Sequence, residues 1–173
     1  MSVRSPDNIL FYLPPDQEQQ VRDIFSALND LGLPQQSQRP HITVTFAPRM
    51  AAEVVSRAAE ILPPVVPATF TRVGTVIFGT RSKQTIAWLL ETDSAVTEAA
   101  RDICALNLDG RGTEWIPHLT VGLRIPRALV PDYMQGLEQV TPTRFKELTA
   151  LRAAYWRPAT RHYTHLAGPE PED

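Results

Sequence analysis

The sequence predicts an α+β fold: a bilobal, pseudo-two-fold arrangement of two antiparallel sheets flanked by helices, with a central groove. Three observations predict it. Strand-type and helix-type runs alternate in an order that echoes itself once along the chain. One short pattern occurs twice, as Pro40-His41-Ile42-Thr43-Val44 and Pro117-His118-Leu119-Thr120-Val121. The length of 173 residues suits one domain, or two small lobes sharing a core. A chain of this size buries roughly 70% of its unfolded surface and needs no disulfide or metal to fold.

Asn8 to Leu13 is a strand, and Pro14-Pro15-Asp16 opens a helix running to about Leu31. Val21, Ile24, Phe25, Leu28 and Leu31 fall on one face of that helix, and Gly32 with Pro34 stops it. Gln38 to Ala47 is the first motif strand. Ala51 to Leu62 is a short helix with Val54, Val55, Ala58 and Leu62 along one side, and Pro63, Pro64 and Pro67 break the chain after it. Thr69 to Phe78 and Thr85 to Glu91 are strands flanking a hairpin loop, Gly79 to Lys83. Asp93 or Ser94 caps a helix whose stripe is Val96, Ala99, Ala100 and Ile103. Glu114 to Arg124 is the second motif strand, and Leu129 to Val140 is helical. Thr143 to Trp156 and Arg161 to Ala167 form a closing strand pair. The whole of 1–173 is read as a single domain with interleaved lobes and flexible ends at 1–7 and 168–173.

Composition narrows the class. The single cysteine, Cys104, excludes an internal disulfide, and its place on an apolar helical stripe makes it core filler. The apolar run Ile9 to Leu13 is too short for a signal segment or a membrane span, so a cytoplasmic protein is the default expectation. A net charge of −2 argues against a non-specific binder of long nucleic acid. The charge is uneven: Arg111 to His165 holds eight Lys/Arg against four Asp/Glu, whereas Met1 to Gly110 holds nine against twelve. A mildly basic C-terminal half suits a site holding a few phosphates; scattered solvated arginines would give the same count.

The duplicated motif carries the chemistry. Strand side chains alternate between faces, so His and Thr two apart point the same way. Ile42, Val44 and Phe46, and in the second copy Leu119, Val121 and Leu123, are expected to point into apolar packing. Each copy thus offers one imidazole and one hydroxyl from a rigid strand. Two imidazoles at one substrate supply one proton acceptor and one proton donor, which is general acid–base chemistry at a phosphate without a metal. Imidazole titrates near 6.5, so one ring can be neutral and the other charged, and a bell-shaped pH dependence around neutrality is expected. Thr43 and Thr120 can donate to non-bridging phosphate oxygens.

On these residues the chain resembles the two-histidine (2H) phosphoesterases, in the branch called 2′-5′ RNA ligase or RNA 2′,3′-cyclic phosphodiesterase. The resemblance rests on the paired His-aliphatic-Thr-aliphatic motifs and covers about Asn8 to Ala167. It implies a bilobal fold, His41 and His118 as catalytic residues, Thr43 and Thr120 as phosphate ligands, no cofactor and no metal. It further implies hydrolysis of 2′,3′-cyclic phosphate RNA ends or nucleotides to a 2′-monoester; separately, a monomer that touches no membrane is expected. The family commonly uses the first histidine as acid; the sequence leaves the roles open. The family also often has a basic residue five after the second histidine, where this chain has Leu123, with Arg124 one further on.

Arg39, Arg124 and Tyr155 are further candidate substrate contacts, and Trp88 is read as core. His162 and His165 have a spacing that suggests metal, but on a strand they point to opposite faces and no carboxylate or cysteine cluster accompanies them. The loops around Arg81, Arg111 and Pro126 would select the substrate. Three alternatives stand beside the phosphoesterase. One is the same chemistry on another small cyclic nucleotide or a 2′,5′-oligonucleotide. The others are a non-catalytic nucleotide or RNA-end binding module, and a metal-binding protein using all four histidines. No nucleotide loop, serine elbow or zinc signature is present.

Overall fold

The computed structural model describes residues 5–171; of the ends expected to be flexible, 1–4 and 172–173 lie outside the described residues. Among the described residues the order is β1 (Asp7–Tyr12), α1 (Pro15–Asp30), β2 (His41–Ala47), α2 (Ala52–Ile61), β3 (Ala68–Phe78), β4 (Lys83–Glu91), α3 (Ser94–Leu106), β5 (His118–Pro126), α4 (Val130–Val140), β6 (Glu147–Ala150), β7 (Arg152–Arg157) and β8 (His162–Ala167). α1 starts on a proline, whose missing N–H costs nothing in the first turn, and buries Val21, Ile24, Phe25 and Leu28. α3 is capped by Asp93, whose carboxylate accepts from the Val96 N–H at 2.9 Å. Both motif strands begin at the histidine itself, because Pro40 and Pro117 have no N–H to give a ladder. The closing segment expected from Thr143 onward divides into β6 and β7 at Leu151.

The expected pair of sheets is instead one antiparallel sheet of eight strands, ordered β6-β3-β4-β5-β2-β1-β7-β8. The physical reason lies in the motif strands. Each is the edge of a four-stranded half, with backbone groups needing partners, and the two edges meet, with loop side chains taking groups the meeting leaves unpaired. Among the described residues they meet through a single pair, Ile42 opposite Leu119. The two-fold echo survives in the pairing: β2 corresponds to β5, β1 to β4, β7 to β3 and β8 to β6.

The sheet is far from flat. β6 and β7 stand six places apart in the order, at about 4.8 Å per place, yet only Leu151 joins them. The sheet therefore winds back on itself, and the rings of Phe11 on β1 and Phe70 on β3 come within 5.9 Å. α1 packs on α4, α2 on α3, α3 on β2, and α4 on β4 and β5. One core gathers Ile9, Phe11, Ile42, Val44, Phe70, Trp88, Leu119, Val121 and Tyr133 with the helical stripes. Burial of Ile42 and Leu119, both 0% exposed, contributes about 1.5–3 kcal/mol apiece and fixes which way their neighbours point.

Candidate active site

Ile42 opposite Leu119 sets the register of the whole site. One residue to either side, His41 stands across from Thr120 and Thr43 across from His118, all four on the face away from the helices. The burial pattern agrees: the two aliphatic residues are buried while the histidines and threonines are half-buried.

The two imidazoles are held identically. His41 Nδ1 lies 2.6 Å from the carbonyl oxygen of Arg39, and His118 Nδ1 lies 2.7 Å from that of Ile116. A carbonyl only accepts, so each Nδ1 carries the hydrogen and each neutral ring keeps its lone pair on Nε2. The intervening proline fixes the turn that brings the carbonyl two residues back against its ring. Burial pushes both histidines below their ordinary pKa. Opposing this, the hydrogen bond to the Arg39 carbonyl favours protonated His41, while nearby His118 and Arg39 disfavour it. The Ile116 carbonyl likewise favours protonated His118, and Arg111 disfavours it. The ring of Phe78 lies 4.7 Å from that of His118 and is part of its dry surroundings. Two charged imidazoles repel, so the pair favours sharing one proton.

Both motif strands bulge at the same place. Against β1, Ile9 pairs with Thr45 but Leu10 with Thr43, which leaves Val44 as an extra residue. Against β4, Ile86 pairs with Gly122 but Ala87 with Thr120, which leaves Val121 extra. Each bulge reverses the alternation. Phe46 and Leu123, expected to enter the core, turn outward instead and line the cleft. The bulged carbonyls are each taken by a helix: the Cys104 thiol of α3 donates to Val44 O at 3.3 Å, and the Tyr133 hydroxyl of α4 donates to Val121 O. Beyond the single pair the two strands diverge, and loop side chains take their backbone groups. Trp115 Nε1 donates to Thr43 O at 3.0 Å, and Leu123 N–H donates to Gln36 Oε1 at 2.6 Å.

The divergence opens a cavity of about 510 Å³ whose lining includes Thr43, Thr120, His118, Phe78, Phe46 and Arg111. His41 stands outside this lining, across the strand pair from Thr120. The cavity has the mix of apolar walls and few convergent polar groups typical of small-molecule sites. Arg111 also lies over the Phe46 ring at 5.3 Å. No ion pair of Arg111 occurs among the described residues.

The other candidates fall elsewhere. Arg39 is stacked over Tyr12, which pairs with His41, and its Nε lies 3.1 Å from Glu18 Oε2. Arg124 is exposed, with a left-handed backbone (φ 56°) at a second irregularity of β5, and it does not line the cleft. Tyr155 is a correction: it faces the helix side, 5% exposed, where its hydroxyl donates to Asp7 Oδ2 at 2.8 Å and accepts from Arg157. Its neighbours Ala154 and Trp156 pair toward the other face, so a strand position one residue off decides the matter. His165 opposes Ala154 on the site face and His162 opposes Arg157 on the other, so the two point apart. Among the described residues no group of three His, Cys, Asp or Glu is placed to hold a metal ion, and no helix is long and apolar enough to cross a membrane. Phe46, Phe78 and the pairing of Gln36 with Leu123 had no signal in the sequence; Arg111 was signalled only as part of a substrate-selecting loop.

This α+β architecture, a wound eight-stranded antiparallel sheet carrying helices on one face, is shared with a known fold. The chain is similar to Kluyveromyces marxianus Usb1 in a structure with uridine monophosphate, at 11% identity over 96% of this chain and 99% of that one, with a TM-score of 0.52. A second structure of Kluyveromyces marxianus Usb1 matches at 10% identity over 94% and 98% of the two chains, with a TM-score of 0.50. No family model matches the chain, and no curated protein matches it significantly.

Proposed function

We propose that the chain is a metal-independent phosphodiesterase of the two-histidine kind. Its substrates are 2′,3′-cyclic phosphate RNA ends or nucleotides, and His41 and His118 act as the general acid–base pair. The observation that carries the reading is the quartet of His41, Thr43, His118 and Thr120. Two imidazoles have Nδ1 tied to the backbone and Nε2 free, and each faces a hydroxyl across one strand pair.

The phosphate lies over the quartet. One neutral imidazole takes a proton from water through Nε2 while the water oxygen bonds to phosphorus. The P–O3′ bond breaks, and the partner imidazolium gives its Nε2 proton to the departing oxygen. The sum is one water consumed and one 2′-monoester formed, with the shared proton transferred from one ring to the other and restored through solvent. The threonine hydroxyls donate to the non-bridging oxygens, and Arg111 supplies positive charge from the cavity side. Burial leaves the empty site with little affinity for the proton; a bound phosphate anion offsets that desolvation and recruits it. The nucleoside occupies the cavity against Phe46 and Phe78. The fold likeness to Kluyveromyces marxianus Usb1, seen with uridine monophosphate, agrees with a nucleotide-sized ligand.

The test is a panel of 2′,3′-cyclic nucleotides, 2′,5′-dinucleotides and cyclic-phosphate-ended RNAs, with products resolved as 2′ or 3′ monoesters. The expected outcome is cyclic-phosphate opening to the 2′-monoester. Binding without turnover of any member would instead identify a nucleotide-binding module.

A further inference from the structure

We propose that the substrate carries a second phosphate, bound on the His41 side of the site in an arginine-lined recess centred on Arg152. The inference rests on the phosphodiesterase reading above for the first phosphate, and it narrows the substrate from a cyclic mononucleotide to one with a further phosphate.

The recess has a volume of about 260 Å³ and is lined by Arg22, Arg39, Arg152, Glu18, Gln19 and the turn at Leu13 and Pro15. It holds three guanidinium groups and one carboxylate, a formal surplus of two positive charges. Glu18 is already committed: its Oε1 accepts from Arg22 at 2.9 Å and its Oε2 from Arg39 at 3.1 Å. Arg152 has no such partner. It enters no ion pair among the described residues, and its Nε is buried with no hydrogen-bond acceptor. A buried donor of a fixed charge left without an acceptor is costly, and a phosphate is the acceptor that a guanidinium matches best. Among the described residues the other buried side-chain polar atoms without a partner, the Tyr163 hydroxyl and His165 Nδ1, belong to the adjacent strand β8. Neither is a carboxylate that could neutralise Arg152.

Position supports the assignment. Arg152 opposes Tyr12 across β7 and β1, and Tyr12 opposes His41 across β1 and β2. By register Arg152 shares the quartet's face at the strand ends, where the turn at Leu13 and Pro15 leads into α1, two strand spacings or roughly 10 Å from His41 at the backbone. The reach of an arginine side chain shortens that to the separation of phosphates on one nucleotide. The nucleoside cavity lies to the other side, by His118.

Two non-reacting probes isolate the subsite: thymidine 3′-monophosphate and thymidine 3′,5′-bisphosphate, which differ by one phosphate and lack the 2′-hydroxyl. Calorimetric titration should show the bisphosphate binding about tenfold tighter to the wild-type chain, the worth of one charge-assisted contact. In Arg152→Gln the ratio of the two affinities should fall to about one. Arg22→Gln, on the exposed flank of α1, should give an intermediate ratio without disturbing the buried Nε. The ratio of kcat/KM for uridine 2′,3′-cyclic phosphate with and without a 5′-phosphate should follow the same order. Equal affinities or no binding of the bisphosphate on the wild-type chain would overturn the subsite, as would a preference that survives Arg152→Gln. Turnover without discrimination would sink the subsite alone; discrimination without turnover would sink the phosphodiesterase reading and leave the subsite standing.

Discussion

Val44 and Val121 occupy equivalent places. Each lies three residues after a motif histidine, each is the extra residue of a bulge, and each has its carbonyl held by a helix side chain, Cys104 in one case and Tyr133 in the other. The bulge needs room as well as a donor. A Cβ at Gly122 would lie 2.7 Å from the Tyr133 ring and 3.1 Å from Ile125, whereas a Cβ at Gly74 would meet nothing within 4 Å. Gly122→Ala should therefore destabilise by about 1–3 kcal/mol and Gly74→Ala by much less, read as the shift in urea midpoint. Tyr133→Phe should cost a similar amount by orphaning a buried carbonyl.

His41→Ala or His118→Ala should each lower turnover by about 10²–10⁴-fold. The double variant should lose far less than the product, since the rings act as a unit. His162→Ala should stay near wild type because its ring is on the opposite face. Equal losses at His41 and His162 in a cyclic-phosphate assay would contradict the assignment.

The pH profile should be bell-shaped but displaced. Burial lowers both imidazoles, so in the free enzyme the singly protonated pair peaks on the acid side of neutrality rather than around it. The kcat profile should lie at higher pH than that of kcat/KM, because bound phosphate favours the imidazolium. The sign for stability follows from the same shift. Between the depressed folded values and the ordinary value near 6.5 the unfolded chain binds more protons. Stability is thus held above about pH 6.5 and declines below it. Replacing both histidines by glutamine should flatten that part of a melting-temperature series.

Turnover should persist in chelator, since imidazoles and hydroxyls carry the proposed proton transfer and charge stabilisation. Loss on chelation with recovery on a divalent ion would replace the mechanism with a metal hydroxide one.

Arg111→Ala should reduce kcat/KM by roughly 10²-fold, the usual worth of one donor to a transition-state oxyanion. Arg111→Lys should recover part of it. Removing the charge should also relieve its pressure on His118, so the profile of the alanine variant should move to higher pH. A loss with no movement in pH would place Arg111 away from His118.

Much of this was legible from residue order. Period-two patterning put His41 with Thr43 and His118 with Thr120, and in the first helical stripe Val21, Ile24, Phe25 and Leu28 are buried as read, whereas Leu31 caps the helix end and is 45% exposed. What failed had local causes. Phe46 and Leu123 depart from the regular alternation because a bulge leaves no mark in the residue order. Tyr155 lies on the helix side because strand register, which residue order does not reveal, decides the face, and an aromatic ring suits either one. The joining of two sheets into one depends on Ile42 meeting Leu119, residues far apart in sequence, and pairing between edges is not encoded in either strand alone.

That seam has a dynamic consequence. Inside each half the strands are laddered over many residues, as β3 with β4 from Thr71 to Phe78 and β1 with β7 from Asn8 to Tyr12, while between the halves the strands share one backbone pair among the described residues, the rest of the join being helix packing and side-chain bonds such as Trp115 to Thr43 O. Ladder amides should exchange with deuterium only on large-scale opening, and those around Ile42 and Leu119 through smaller and more frequent excursions. The two motif histidines thus straddle the thinnest backbone line in the sheet, and the spacing between His41 and His118 should respond to any opening along it.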